Sequence, residues 1–176
     1  MSKVLLIIDL QNDYFPEGNY SLWHAETVLE KVKKVLEKAN ERHIPIILMQ
    51  HIADITHGRA LFFNAGSPGV NIHPQILETD KNPIIIEKHF ADSFYATDLE
   101  EILSDINGSE VFVCGMMTQN CVTHTALSKA AEKYIVKLIP DCCTTVDEQI
   151  HLMALKALSI RIPFVNSDEF FMDKKI

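Results

Sequence analysis

The stretch Val111-Phe-Val-Cys-Gly-Met-Met-Thr-Gln-Asn-Cys-Val-Thr-His-Thr-Ala126 decides how the rest of the chain is read. Val111–Cys114 is apolar and largely β-branched, which predicts a buried strand. Gly115 breaks the run. Thr118 is a suitable N-cap, so Gln119, Asn120 and Cys121 should form the first turn of a helix that continues to about Lys133. The Cys121 thiol would then sit among unpaired backbone N–H groups at a helix N-terminus, which favour a thiolate. The same donors suit an oxyanion formed when a thiolate attacks a carbonyl. Strand, sharp turn, nucleophile and helix together follow the logic of a nucleophile elbow. The competing reading is a small apolar cysteine on the inner face of a packed helix.

Working outward, Lys3–Asp9 is a continuous apolar run ending in a carboxylate, as expected of a central parallel strand covered on both faces. Gln11–Ser21 contains Pro16 and Gly18 and reads as a loop. Ala25–Arg42 is a helix, with Val28, Leu29, Val32, Val35, Leu36 and Ala39 at three- and four-residue spacing. Ile44–Gln50 is a second strand, and His51–Gly69 a long loop of the kind that carries function. Pro83–Glu87 is a third strand, ending at Lys88. Thr97 or Asp98 caps a helix over Leu99–Ile106. After the Cys121 segment come a strand at Tyr134–Ile139, a loop at Asp141–Val146, and a helix over Glu148–Leu158 capped by Asp147. Arg161–Val165 is a last strand, and Ser167 or Asp168 caps a terminal helix. Strands alternating with helices predict an α/β parallel sheet with right-handed crossovers, in one domain spanning residues 1–176.

The chain has 176 residues, enough for a substantial core, and a formal net charge of -8. That charge and the lack of a basic tract argue against a nucleic-acid or anionic-membrane surface. A strand beginning within three residues leaves no room for a signal peptide, and no apolar run has membrane-spanning length. Cys114, Cys121 and the vicinal pair Cys142-Cys143 lack CxxC spacing, as expected of reduced thiols in a cytoplasmic protein.

In such sheets ligands bind beyond the carboxyl ends of the strands. Asp9, Lys88 and Cys121 each lie at or just past such an end, so all three can meet on one rim. A cysteine attacking an amide needs a proton acceptor and charge stabilisation. Asp9 can take the thiol proton and return it to the leaving nitrogen, while Lys88 holds the charged forms. Taken singly, Asp9 also reads as a strand-end carboxylate capping a loop, and Lys88 as a solvated strand terminus.

The motifs Leu5-Leu-Ile-Ile-Asp-Leu-Gln-Asn-Asp-Tyr-Phe15, Glu87-Lys-His-Phe-Ala-Asp-Ser-Phe94 and Cys114-Gly-Met-Met-Thr-Gln-Asn-Cys-Val-Thr-His-Thr-Ala126 resemble the isochorismatase-like cysteine hydrolases, which include nicotinamidases and N-carbamoylsarcosine amidase. His73-Pro74 and Leu138–Thr145 match more weakly. The resemblance implies a three-layer, doubly wound, six-stranded parallel sheet of order 3-2-1-4-5-6 with helices on both faces. It implies a catalytic triad of Asp9, Lys88 and Cys121. It also implies a cis Met116-Met117 peptide and an oxyanion hole from the Met117 and Cys121 N–H groups. The expected activity is hydrolysis of a C–N bond in a small amide through a thioester. Nicotinamide hydrolysis, isochorismatase-type ether hydrolysis and a non-catalytic binding role are the alternatives. Relatives often assemble as dimers or tetramers, so a homo-oligomer is expected.

Nicotinamidases carry an Asp-x-His-x5-His metal motif after the second strand. Here His51 and His57 keep the spacing, but Met49 stands where the acid belongs. Asp54 or His73 are the available substitutes. With the ligand set incomplete, no metal and no cofactor is expected, and His51 is read as facing the substrate pocket instead. Phe15, Trp23 and Phe94 are candidates for an apolar wall, and Asn120 for a donor to substrate. His124, one turn beyond Cys121, is read as packed or solvent-facing, and His151 as an ordinary helix residue. Cys142-Cys143 reads as two small buried residues, with redox sensing the alternative.

Overall fold

The structure is a computed structural model and describes residues 2–54, 56, 58–80 and 82–170. Among these residues five parallel strands form one sheet: β1 (Ser2–Ile8), β2 (Ile46–His51), β3 (Ile84–Lys88), β4 (Gly108–Met116) and β5 (Ile135–Thr144). Their order is β3-β2-β1-β4-β5. The helices are α1 (Ala25–Glu41), α2 (Pro74–Thr79), α3 (Leu99–Asp105), α4 (Thr123–Ala126) and α5 (Glu148–Leu158).

Successive strand side chains point to opposite faces. Val4 through Ile8 are all at most 1 % exposed, so β1 is covered on both faces, which is why its sequence shows no alternation. At the β3 edge, Ile86 and Lys88 are buried while Ile85 and Glu87 are exposed, so one face is open. Helix α1 buries Ala25, Val28, Leu29, Val32, Val35, Leu36 and Ala39, the stripe its periodicity predicts. The chain moves outward from β1 to β2 and β3, then returns to pair β4 with the free side of β1. The strand order therefore reverses between β1 and β4, where parallel sheets open a crevice at their carboxyl ends.

Several expectations need correction. The sheet has five strands rather than six. Arg161–Val165 is reduced to one parallel bridge, Leu138 with Phe164, held by Leu138 N–H to Pro163 O and Val165 N–H to Leu138 O. Pro163 has no N–H with which to extend that ladder. Strand β5 runs on through Pro140 to Thr144, replacing much of the expected loop, because a register shift against β4 between Val113 and Gly115 absorbs the irregularity. Helix α2 falls where the sequence reading placed no element. His73-Pro74 starts it, with Pro74 in the first turn and His73 Nδ1 accepting the Gln75 N–H. The expected terminal helix is not begun by Ser167, whose N–H and hydroxyl both bond to Asp141. Residues 171–176 lie outside the described residues.

The segment after β4 also differs. Thr118–Val122 form a π-helical turn, α4 covers four residues, and a separate 3-10 turn spans Ala130–Lys133. Thr118 does not cap this segment. It is the first residue of the π turn, and its hydroxyl is engaged with His151 Nδ1 at 2.9 Å.

Candidate active site

Asp9 leaves β1 with φ 54, a left-handed conformation that aspartate tolerates better than most residues. This turn holds its fully buried carboxyl group at the end of β1, within reach of Lys88. Oδ2 accepts the Lys88 ammonium at 2.9 Å, and Oδ1 is buried without a hydrogen-bond partner. A buried, unpaired carboxylate oxygen is costly, and a catalytic role is one of the explanations for such an orphan. Lys88 ends β3 and is also fully buried. Its other contacts are Phe90 O at 3.1 Å and His51 Nδ1 at 2.9 Å, so all three ammonium donors are used. Burial works against the charge on Lys88, but Asp9 and Cys121 outweigh it and raise its pKa.

Cys121 is the fourth residue of the π turn and is 1 % exposed. A carboxylate oxygen of Asp9, a ring nitrogen of His51 and the Cys121 Sγ all lie within 4.8 Å of one another. Burial, then Asp9, push the thiol pKa well up, and Lys88 pulls against them. Burial and Asp9 thus favour the thiol, where the helix-terminus reading expected a thiolate. The turn that carries it is pinned from several sides. Met117 O accepts Asn120 N–H (3.0 Å) and Val122 N–H (3.3 Å), and Thr123 Oγ1 donates to Thr118 O (2.6 Å). Thr145 Oγ1 meets Gln119 Oε1 at 2.5 Å. The Met116–Met117 peptide is cis. Gly115 has φ +120, and a Cβ there would lie 2.1 Å from Ile8 O, so only glycine lets β4 approach β1 this closely.

His51 ends β2, and its ring enters the cluster, with Nδ1 3.8 Å from Asp9 Oδ2 and 4.0 Å from Cys121 Sγ. Burial and the Lys88 charge lower its pKa to about 4, which keeps it neutral. Its ring lies 5.9 Å from that of Phe63, which packs at 4.5 Å on Tyr14. Tyr14 is 1 % exposed, and burial followed by the charge of Asp9 raises its pKa.

The other expected substrate residues are dispersed. Phe15 packs against His73 with ring centroids 4.4 Å apart and the planes tilted by 50°, and lines a groove of about 850 Å³ bordered by Asn12, Ser67 and Pro68. Neither Asp9, Lys88 nor Cys121 borders that groove. Trp23 lies 5.8 Å from the His151 ring, one layer behind Thr118. Phe94 stacks on Tyr134 at 5.9 Å, toward the region after α4. Asn120 is half-buried in the π turn, where its carbonyl meets Nδ1 of the exposed His124. Cys142 and Cys143 are buried in β5; burial raises both thiols, Cys143 to about 12.

Sequence reasoning overlooked three residues. Gln11 is buried and fixes the His51 main chain: Oε1 accepts His51 N–H (2.7 Å) while Nε2 donates to His51 O (2.8 Å). Asp13 is buried and ties the loops together, taking Asn19 N–H on Oδ1 and Phe63 N–H on Oδ2. His151, read as an ordinary helix residue, is buried against the Cys121 turn. Polar residues crowded just after β1 were the available signal for the first two.

The chain matches the isochorismatase domain family over residues 3–167. It is 33 % identical to the isochorismatase family protein YddQ of Bacillus subtilis, over 94 % of this chain and 90 % of that one. An isochorismatase-like hydrolase from Alkaliphilus metalliredigens superposes with a TM-score of 0.87 at 25 % identity, covering 97 % of each chain. A pyrazinamidase from Pyrococcus horikoshii, solved in complex with zinc, shares the fold with a TM-score of 0.82 at 22 % identity over 94 % of this chain and 99 % of that one. An α/β fold whose parallel sheet reverses order between β1 and β4, matched by isochorismatase-like hydrolases, defines the class, and this chain belongs to the isochorismatase family.

The residues that could stand for a zinc site do not fit one. Met49 is 1 % exposed inside the core. Both Asp54 carboxylate oxygens bond to Thr56, and His73 Nδ1 accepts Gln75 N–H. Among the described residues, Asp54 and His73 join no group with His51, and the trio that does form (Asp9, His51 and Cys121) has the Lys88 ammonium bonded to two of its members. His57 lies outside the described residues.

Proposed function

We propose that the protein is a cysteine hydrolase that cleaves a C–N bond of a small amide through a thioester on Cys121. The observation that carries this reading is the partnerless Asp9 Oδ1, buried in the cluster that holds the Cys121 thiol. Asp9 takes the thiol proton as Sγ bonds to the amide carbon. The developing oxyanion falls to the Met117 and Cys121 N–H groups. Asp9 then passes the proton to the leaving nitrogen as the C–N bond breaks, giving ammonia or an amine and a thioester. Asp9 next accepts a proton from water, whose oxygen attacks the thioester. The C–S bond then breaks, Asp9 returns its proton to the sulfur, and the acid leaves. Lys88 holds Asp9 Oδ2 at 2.9 Å through these transfers. Its charge also offsets that of the sulfur as the thiol loses its proton, which burial otherwise opposes.

The test is ammonia release across a panel of small amides, nicotinamide included, comparing wild type with Cys121→Ala. Turnover of at least one amide, lost in Cys121→Ala with the fold intact by circular dichroism, is the expected result. Undiminished turnover in the variant would sink the mechanism.

A further inference from the structure

In the metal motif of the nicotinamidases His51 would hold an ion, but here its ring turns inward onto Lys88. An ammonium group has three donors and no acceptor. At 2.9 Å from Lys88 Nζ, His51 Nδ1 is therefore an unprotonated acceptor, and the ring proton resides on Nε2. The placement is built by the fold. Gln11, fully buried, grips His51 N–H and O and anchors itself to Val70 O at 2.6 Å. The ring keeps 19 % side-chain exposure, so a bound molecule can reach it.

We propose that His51 works inside the hydrolytic site in place of ligating a metal: Nδ1 holds the Lys88 ammonium on Asp9, and Nε2–H is the donor offered to the acyl part of the substrate. The second half rests on the amidase reading of Asp9, Lys88 and Cys121; the first stands on geometry alone. Asp9, His51 and the Phe90 carbonyl all lie within 3.1 Å of Lys88 Nζ, and the same ammonium pulls the Cys121 thiol toward its charged form. The substrate class follows: an amide whose acyl group carries a hydrogen-bond acceptor beside the scissile carbonyl, such as a ring nitrogen or a second oxygen. A site built to donate a hydrogen bond discriminates against the analogue that lacks the acceptor.

Nitrogen-15 NMR of histidine-labelled protein, with His51→Gln assigning the signal, reads the first half without any substrate. A neutral ring protonated on Nε2 at pH 7, unchanged by dialysis against a chelator, is expected. A ring protonated on Nδ1, an imidazolium at pH 7, or a signal moved by chelation would overturn it. Kinetics on chelator-treated protein read the second half. His51→Gln should lower kcat/KM by about tenfold, the worth of one hydrogen bond, for an amide bearing the adjacent acceptor. For the isostere without it the loss should be markedly smaller. Equal losses on both amides would overturn the donor role. If no amide is turned over by wild type, the amidase reading and the donor role fall with it, and the tautomer result still decides what holds Lys88.

Discussion

Asp9 and Lys88 form a buried ion pair with neither side chain in contact with solvent. Removing one partner of such a pair leaves a charge that the interior cannot solvate, typically at a cost of 3–5 kcal/mol. Lys88→Met should therefore lower stability by about that much in urea titrations at pH 7. Combining it with Asp9→Asn should recover part of the loss, because asparagine tolerates φ 54 and carries no charge. Equal destabilisation in the single and double variants would contradict the pairing. His51 gives a pH signature. Its folded-state pKa of about 4 lies below the ordinary 6.5, so the unfolded chain binds a proton that the folded chain refuses. The stability this contributes is complete above pH 6.5 and is lost as pH falls through about 4, with burial lowering His73 and His151 in the same direction. The shift is worth on the order of 3 kcal/mol. His51→Gln should flatten the stability profile across that window, as read by denaturant midpoints at half-unit pH steps.

At the scale of elements, the site is assembled from strand ends and one unusual turn. Asp9, Lys88 and Cys121 could be placed from sequence because each follows an apolar run, and parallel strands bring their carboxyl ends to one rim. What the sequence concealed depends on partners distant along the chain. The π turn rests on His151 from α5 and Thr145 after β5, so neither a capping rule nor local periodicity could distinguish it from an ordinary helix start. The Gln11–His51 grip links the segment after β1 to the end of β2 across 40 positions. The failed sixth strand turned on Pro163, visible in the sequence but decisive only against the β5 ladder. Where the determinant is local, the reading holds: Asp147 Oδ1 accepts Ile150 N–H at 2.8 Å and caps α5 as expected. Asp147→Ala should cost about 1 kcal/mol. In a chain of this length that is roughly 2–4 °C in Tm, measured by calorimetry. An unchanged Tm would show that the cap carries no weight.

For the molecule as a whole, the strand order reverses between β1 and β4, where parallel sheets take their ligands, and family membership follows from the match over residues 3–167. None of the described helices is long and apolar enough to cross a membrane. The net charge of -8 leaves Lys88 as a buried cation in an acidic protein, held by two neighbours and a carbonyl rather than by solvent. Around it lie a carboxyl group with an orphaned oxygen, a neutral imidazole and a buried thiol, an arrangement suited to proton transfer coupled to sulfur attack. The most direct test of this account is intact-protein mass spectrometry on reactions with the amide panel, quenched in acid within milliseconds. The account predicts a mass increase equal to the acyl group, mapped by peptide digestion to Cys121 and absent in Cys121→Ala. An amide that is turned over with no adduct, at a rate unchanged in Cys121→Ala, would contradict it.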